Sequence, residues 1–350
     1  MGNRSWDKII LATPYLYQHR GNSITAKRLF LHLSQLDLSV EVFPYLEGDL
    51  TSDHFKDRFC QSTNNEKTII HVLNGYRFAL WQRENKIPPL KVPYLVTMTG
   101  TDVNYDIFDP AKREIMRPLL ENAQWVTVFI EEQKDKMIEQ FPSLTDKVIV
   151  IPQGVWISLP EEKIKEKYLK EKEGDVHFFL PAGLRPVKNV LFPLKPFQRL
   201  HEKYSCIRLT LAGTKLIEDI YRQVKMAERM WDWFFYAGEV PFEKMPEWYL
   251  QSDVLLNTSL SEGQSMAIME GMAAGLPVLA SDIPGNRSLV VHGGTGYLYQ
   301  NEDEFYQLAE RLILDPELRK SMGNKGRERM NQLHSPLDEA KRYLYLYESI

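Results

Sequence analysis

The sequence predicts an α/β protein built from two doubly wound parallel-sheet domains in series. Three observations predict it. Short apolar runs, each about four to eight residues long, alternate with longer amphipathic stretches, as strands alternate with crossover helices. The runs are rich in β-branched and aromatic residues and are nearly uninterrupted, the pattern of strands covered on both faces. The alternation stops at a charged stretch near the middle and then restarts, and 350 residues suffice for two domains of about 150 residues each.

The elements follow in order. Residues 8–14 (KIILATP) read as a buried strand, and 23–35 as a helix with Ile24, Leu29, Phe30, Leu31 and Leu33 inward. Residues 40–46, 67–74, 94–100, 125–130 and 147–152 are further strands, with helical crossovers at 111–122 and 131–140. Residues 160–175 (PEEKIKEKYLKEKEGD) mix both charge signs and hold almost no core residues, which marks a solvated boundary. Strands resume at 176–183, 207–213, 233–238, 254–259 and 277–281, with a helix at 266–274 and a short extra strand at 295–299. From 303 to 350 the pattern is helical, interrupted near Ser335-Pro336. The expected domains are therefore 1–157 and 176–335, joined by a charged linker at 158–175.

Composition excludes several classes. Hydrophobic residues make up 43% and charged residues 26% of the chain, which fits neither a disordered nor a fibrous protein. A net charge of -4 supplies no global field toward nucleic acid. The two cysteines, Cys60 and Cys206, show no metal-ligand spacing, and no disulfide scaffold is expected. No apolar run reaches the ~18 residues of a membrane helix, and residues 1–8 lack an apolar signal core. The expected address is cytoplasmic, with peripheral membrane contact left open.

The most informative stretch is 259–285, SLSEGQSMAIMEGMAAGLPVLASDIPG. A strand ends near Ser259, a loop carries Glu262-Gly263-Gln264-Ser265, and a helix starts close to Ser265, with Met266 in its first turn. Backbone N–H groups at a helix start attract phosphate or hydroxyl oxygens, and Gly263 permits close approach. Glu262 and Glu270 are placed to accept hydrogen bonds from two separate sets of sugar hydroxyls; the bland alternative is a loop acid and a helix-face acid. Met266, Met269 and Met272 read as core filler.

Glu-x7-Glu, followed by GMAAGLPVLASDIPGN and GGTGYLY, resembles the retaining family-4 glycosyltransferases of the GT-B fold. The likeness extends over nearly the whole chain, through IPQGV, AGEVP and DPELR. It implies two Rossmann-like domains facing across a cleft, with the last helix, 336–350, returning to the first domain. It implies a nucleotide diphosphate sugar as donor, UDP-sugar first by family frequency, and hexosyl transfer with retention. It implies Glu270 on the ribose, Glu262 on the hexose, the backbone of 263–265 along sugar and phosphate, and Val240 beside the base. The segments GNSITA and TGTDVNYD narrow the likeness to a branch of poorly characterised glycosyltransferase-domain proteins, which is similar also to the bacterial selenosugar synthases.

Other residues are weighed on their own chemistry. In PAGLRPVKNV (181–190), Arg185 and Lys188 stand where a strand gives way to a helix. A departing diphosphate gains charge that two cations there would stabilise more in the transition state than in the ground state. No D-x-D triplet occurs, so catalysis without metal or other cofactor is expected. In the first domain Gly21 and Asn22 are expected in a tight loop closing over the donor, with His19 beside it on the acceptor side. Asn74, Tyr76 and Arg77 at the end of the strand 67–74, with Thr99 and Thr101, are further acceptor-side candidates, Thr99 standing where many relatives carry histidine. Asp102 is a candidate to orient or deprotonate an acceptor, with a helix-capping role as the alternative. His71, inside a strand, reads as a satisfied core histidine. Epimerase, phosphorylase and selenophosphate-transfer chemistry, and a nucleotide-sugar sensor without catalysis, stay open at this point.

Overall fold

The computed structural model describes residues 6–17, 21–47, 55–56, 59, 67–160, 162–163 and 175–350. His19, Cys60 and most of the charged linker lie outside them. The chain divides into two compact units, Met1–Gly154 with His334–Ile350, and Val155–Leu333.

The first unit holds a six-stranded parallel sheet in the order β2-β1-β3-β4-β5-β6. Its strands are β1 (Lys8–Thr13), β2 (Val40–Pro44), β3 (Thr68–Leu73), β4 (Tyr94–Thr97), β5 (Trp125–Val128) and β6 (Val148–Val150). Leu11 sits level with Val42 on one side and His71 on the other, so β1 is central. Successive residues point to opposite faces. Ile10 and Ala12 enter one apolar cluster with Phe43, Phe55 and Trp81, while Ile9 and Leu11 enter another with Leu29, Leu33 and Tyr343. Both faces are covered, as the continuous apolar runs required.

The helix α1 (Gly21–Ser34) begins two residues earlier than expected, so Gly21 and Asn22 are helical rather than looped. Its inward face also differs. Phe30 and Leu31 are exposed, and Arg28 and His32 are buried instead. The reason is a partner distant in sequence. The final helix, α13 among the described helices (Pro336–Glu348), brings Glu339 to Arg28, with Nε–Oε2 at 2.7 Å and Nη2–Oε1 at 3.0 Å. Gln153 Oε1 accepts from Arg28, and the Gly154 N–H donates to Glu339. A fork-to-fork pair with added hydrogen bonds is the geometry that makes a buried charge tolerable.

The same final helix lays Ala340, Tyr343, Leu346 and Tyr347 onto the sheet. His71 accepts or donates between Tyr347 Oη at 2.7 Å and Thr97 Oγ1 at 2.6 Å. Burial holds the His71 imidazole down to about 3, so it is neutral. It is a core residue.

The second unit holds a second six-stranded parallel sheet in the order β12-β11-β10-β7-β8-β9. The strands are β7 (Val176–Pro181), β8 (Ile207–Ala212), β9 (Phe234–Gly238), β10 (Val254–Asn257), β11 (Val278–Ser281) and β12 (Gly296–Tyr299). Val254 and Leu256 face one cluster, and Leu255 faces the other with Ile268, Met269 and Met272. The boundary falls earlier than expected because Val155, Ile157 and Leu159 pack against this second core. The helical tail breaks once more than expected, between helices Glu302–Leu314 and Pro316–Leu333, where Pro316 cannot extend the helix before it. Among the described residues no helix is long and apolar enough to cross a membrane.

Candidate active site

In open α/β sheets ligands gather outside the carboxyl ends of strands, where the strand order reverses. In the second unit that point lies between β7 and β10. Arg185 and Lys188 follow β7, and Glu262 follows β10, so the topology carries both segments to the same end of the sheet and brings Lys188 against Glu262.

Lys188 closes a single 3-10 turn, Pro186–Lys188, and Asn189 after it takes a left-handed conformation at φ 47°. The turn is pinned to the β10 loop: Leu260 N–H donates to Val187 O at 2.8 Å, and Thr258 Oγ1 donates to Lys188 O at 2.9 Å. Lys188 Nζ lies 2.5 Å from Glu262 Oε1. Arg185 is exposed on the same turn.

Glu262 is held from several sides. Ser259 Oγ donates to Oε1 at 2.7 Å and Asn257 Nδ2 at 3.3 Å. Burial works to raise this carboxyl, but the Lys188 charge and the bonds from Lys188, Ser259 and Asn257 outweigh it and leave the group below the usual glutamate range. It is therefore an ionised acceptor at neutral pH.

The helix α9 (Met266–Ala273) starts at this loop. Ser265 is its N-cap, with Oγ accepting from Ile268 N. Gly263, Gln264 and Ser265 are buried, and Met266 is half-buried. Glu270 is 4% exposed, and its Oε2 accepts from Tyr249 Oη at 2.7 Å. Val240, just beyond β9, is half-buried against the core.

Sequence reading missed the residue that ties these parts together. Asn257, the last residue of β10, donates through Nδ2 to Glu262 and to Ser265 Oγ at 3.0 Å. Its Oδ1 accepts from Ser259 N at 3.1 Å and from Asn286 Nδ2 at 3.2 Å. One amide thus fixes the acid, the helix cap and the next loop. The available signal was a polar residue closing an otherwise apolar strand, VLLN. Gly285 is the second tie. A Cβ there would lie 2.6 Å from Glu262 O and 2.9 Å from Glu262 Cβ. Gly285→Ala is expected to cost about 1–3 kcal/mol through overpacking and to shift the acid. Urea unfolding and nucleotide-sugar affinity would both register this, and an unchanged affinity would detach the Glu262 loop from binding.

In the first unit the candidates are less alike. Asn74 caps the helix α2 (Gly75–Glu84), accepting from Arg77 N, and donates to Thr99 Oγ1 at 3.0 Å. Thr99 is half-buried and Thr101 is exposed. Asp102 departs from the expectation of a group facing an acceptor. It is fully buried, and its oxygens accept from the N–H groups of Thr99, Gly100, Gly75 and Val103 at 2.8 to 3.1 Å. The carboxylate braces the ends of β3 and β4.

Burial pushes Asp102 up from 3.8 to about 6, against the lowering effect of its backbone bonds. A raised folded value means that stability is fully present below 3.8 and is lost as pH rises through about 6. Relative to Asp102→Asn, the native chain should lose unfolding free energy on the order of 3 kcal/mol across that window. Denaturant titrations of both proteins test this. Parallel pH profiles would contradict it.

Among the described residues no group of three His, Cys, Asp or Glu is placed to hold a metal ion. The fold is two parallel-sheet units with a cluster of polar and charged side chains at the strand ends of the second, and comparison with known proteins gives the family. Residues 160–329 match the group 1 glycosyl transferases. The chain is 30% identical over 332 residues to glycosyltransferase 1 domain-containing protein 1 of Xenopus tropicalis, covering 93% of each. It superposes on sucrose-phosphate synthase from Thermosynechococcus elongatus with a TM-score of 0.78 at 17% identity, covering 98% of each chain. It also superposes on Anabaena HepE, solved with UDP-glucose, with a TM-score of 0.76 at 15% identity, covering 98% of this chain and 100% of that one. The two parallel sheets match these GT-B structures. The chain belongs to the group 1 glycosyltransferase family, whose members transfer sugar from a nucleotide sugar.

Proposed function

We propose that this protein is a retaining hexosyltransferase of family-4 type, using a UDP-sugar and requiring no metal. The observation that carries the reading is Lys188 Nζ against Glu262 at the switch point of the second sheet. In this reading Lys188, aided by Arg185, turns to the diphosphate as the glycosidic bond breaks and stabilises its growing charge. Glu262 accepts from hexose hydroxyls and Glu270 from the ribose. The backbone from Gly263 to Met266 lines the sugar and phosphate, Val240 flanks the base, and Gly21 and Asn22, at the start of α1, are the first unit's donor-binding candidates. Asn74, Thr99 and Thr101 belong to the acceptor side.

The acceptor attacks the same face that the diphosphate leaves, through an oxocarbenium-like state, and a diphosphate oxygen takes the acceptor proton. No observation favours transfer to selenophosphate or a sensor without catalysis. A thermal-shift screen of UDP-, GDP- and ADP-sugars tests the donor reading. A ligand at 100 times its Kd adds about 2.7 kcal/mol. A rise in Tm with UDP-sugars is expected, and no response to any nucleotide sugar would overturn it.

A further inference from the structure

The first sheet has its own switch point, between β1 and β3 in the order β2-β1-β3-β4. Two side chains meet there. Arg77, in the first turn of α2, places its guanidinium over the Tyr15 ring at 5.3 Å from the centroid, and Tyr15 follows β1. Both are half-buried.

Arg77 has no carboxylate partner among the described residues. Among the described residues, the acids following these strands have other partners. Asp102 accepts backbone N–H groups from Thr99, Gly100, Gly75 and Val103. Glu47 accepts from the N–H groups of Leu16 and Tyr17 at 2.6 and 2.9 Å. Asp106 pairs with Lys112. A half-buried guanidinium whose fork no described residue fills is a receptor for an oxyanion, and Asn74, whose side chain accepts from the Arg77 backbone N–H and donates to Thr99, holds the start of its helix. The Tyr15 ring beneath it restrains the guanidinium, which lowers the ordering cost of binding.

We propose that Arg77, its guanidinium over the Tyr15 ring, binds the acceptor through an oxyanion, so that the sugar is transferred to a molecule carrying a phosphate or carboxylate group. The proposal rests on the glycosyltransferase reading and names its acceptor class.

The test is calorimetric titration of inorganic phosphate, and separately of malonate, into the full chain without donor. Four proteins are compared: wild type, Arg77→Gln, Arg77→Lys and Lys188→Ala. Wild type and Lys188→Ala should bind at least one of the two anions, and Arg77→Gln should bind it at least about tenfold more weakly, the scale of charged hydrogen bonds. Arg77→Lys keeps the charge, loses the fork and should fall between them. Preference for phosphate over malonate, or the reverse, assigns the oxyanion. No binding of either anion to wild type overturns the proposal. So does affinity lost in Lys188→Ala but kept in Arg77→Gln, which would put the anion at the donor grip. The donor screen above is read separately. If nucleotide sugars fail there while Arg77-dependent anion binding persists, the donor reading falls and the anion site stands.

Discussion

Replacing Lys188 with alanine is expected to lower nucleoside diphosphate release from a bound donor by about 10²-fold or more, the scale of removing one preorganised transition-state contact. The loss has two sources. The departing diphosphate loses its nearest cation, and Glu262 loses the charge that keeps it ionised. The second source has a signature in pH. Glu262 is held below its ordinary value in the folded chain, so its contribution to stability is present above that value and is lost as pH falls through the lowered one. Without Lys188, burial of the carboxyl is no longer offset by that cation. The acid limb of the activity profile should therefore move to higher pH in Lys188→Ala. Single-turnover measurement of diphosphate release against pH separates the effects. A rate and profile equal to the native ones would remove Lys188 from the mechanism.

The largest stability effect is expected at Arg28. Its side chain and that of Glu339 are 0% and 1% exposed, so truncating either leaves an uncompensated buried charge. Arg28→Met should destabilise the first unit by about 3–5 kcal/mol. Gly154 N and Gln153 would also lose order, since both bond to this pair. The double variant Arg28→Met, Glu339→Leu should recover most of the loss, because two apolar groups of similar volume replace two buried ions. A denaturant-based double-mutant cycle measures the coupling. Additive losses would mean that the pair does not act as a unit. The effect matters for the fold because this pair attaches the last helix to helix α1 of the first unit, over 311 residues of sequence separation.

The sheets were legible because a strand buried on both faces leaves an unbroken apolar run, as in KIILAT and TIIHVL. The second-unit candidates were legible because loop acids and cations beside a helix start carry a direct chemical meaning. Lys188 and Glu262 are indeed adjacent. What sequence could not convey was pairing across distance. Arg28 on an apolar helix face looks like a solvated charge until Glu339 arrives, so Phe30 and Leu31 were assigned inward in its place. Asn257 looked like the end of a strand, since its role depends on Ser265 and Asn286 folding back to it. Asp102 looked accessible because its pattern matches an exposed strand-end loop. Its burial arises from the turn that aims the N–H groups of Thr99 and Gly100 at it and from the start of the neighbouring helix at Gly75.

The most direct measurement is a crystal structure of the chain with the nucleoside diphosphate of the donor that gives the largest thermal shift. The expected result is diphosphate oxygens within hydrogen-bonding distance of Lys188 Nζ and ribose hydroxyls on Glu270, at the strand ends between β7 and β10. Nucleotide bound elsewhere, with Lys188 still closed on Glu262 and no ligand beside either, would contradict the assignment of this site.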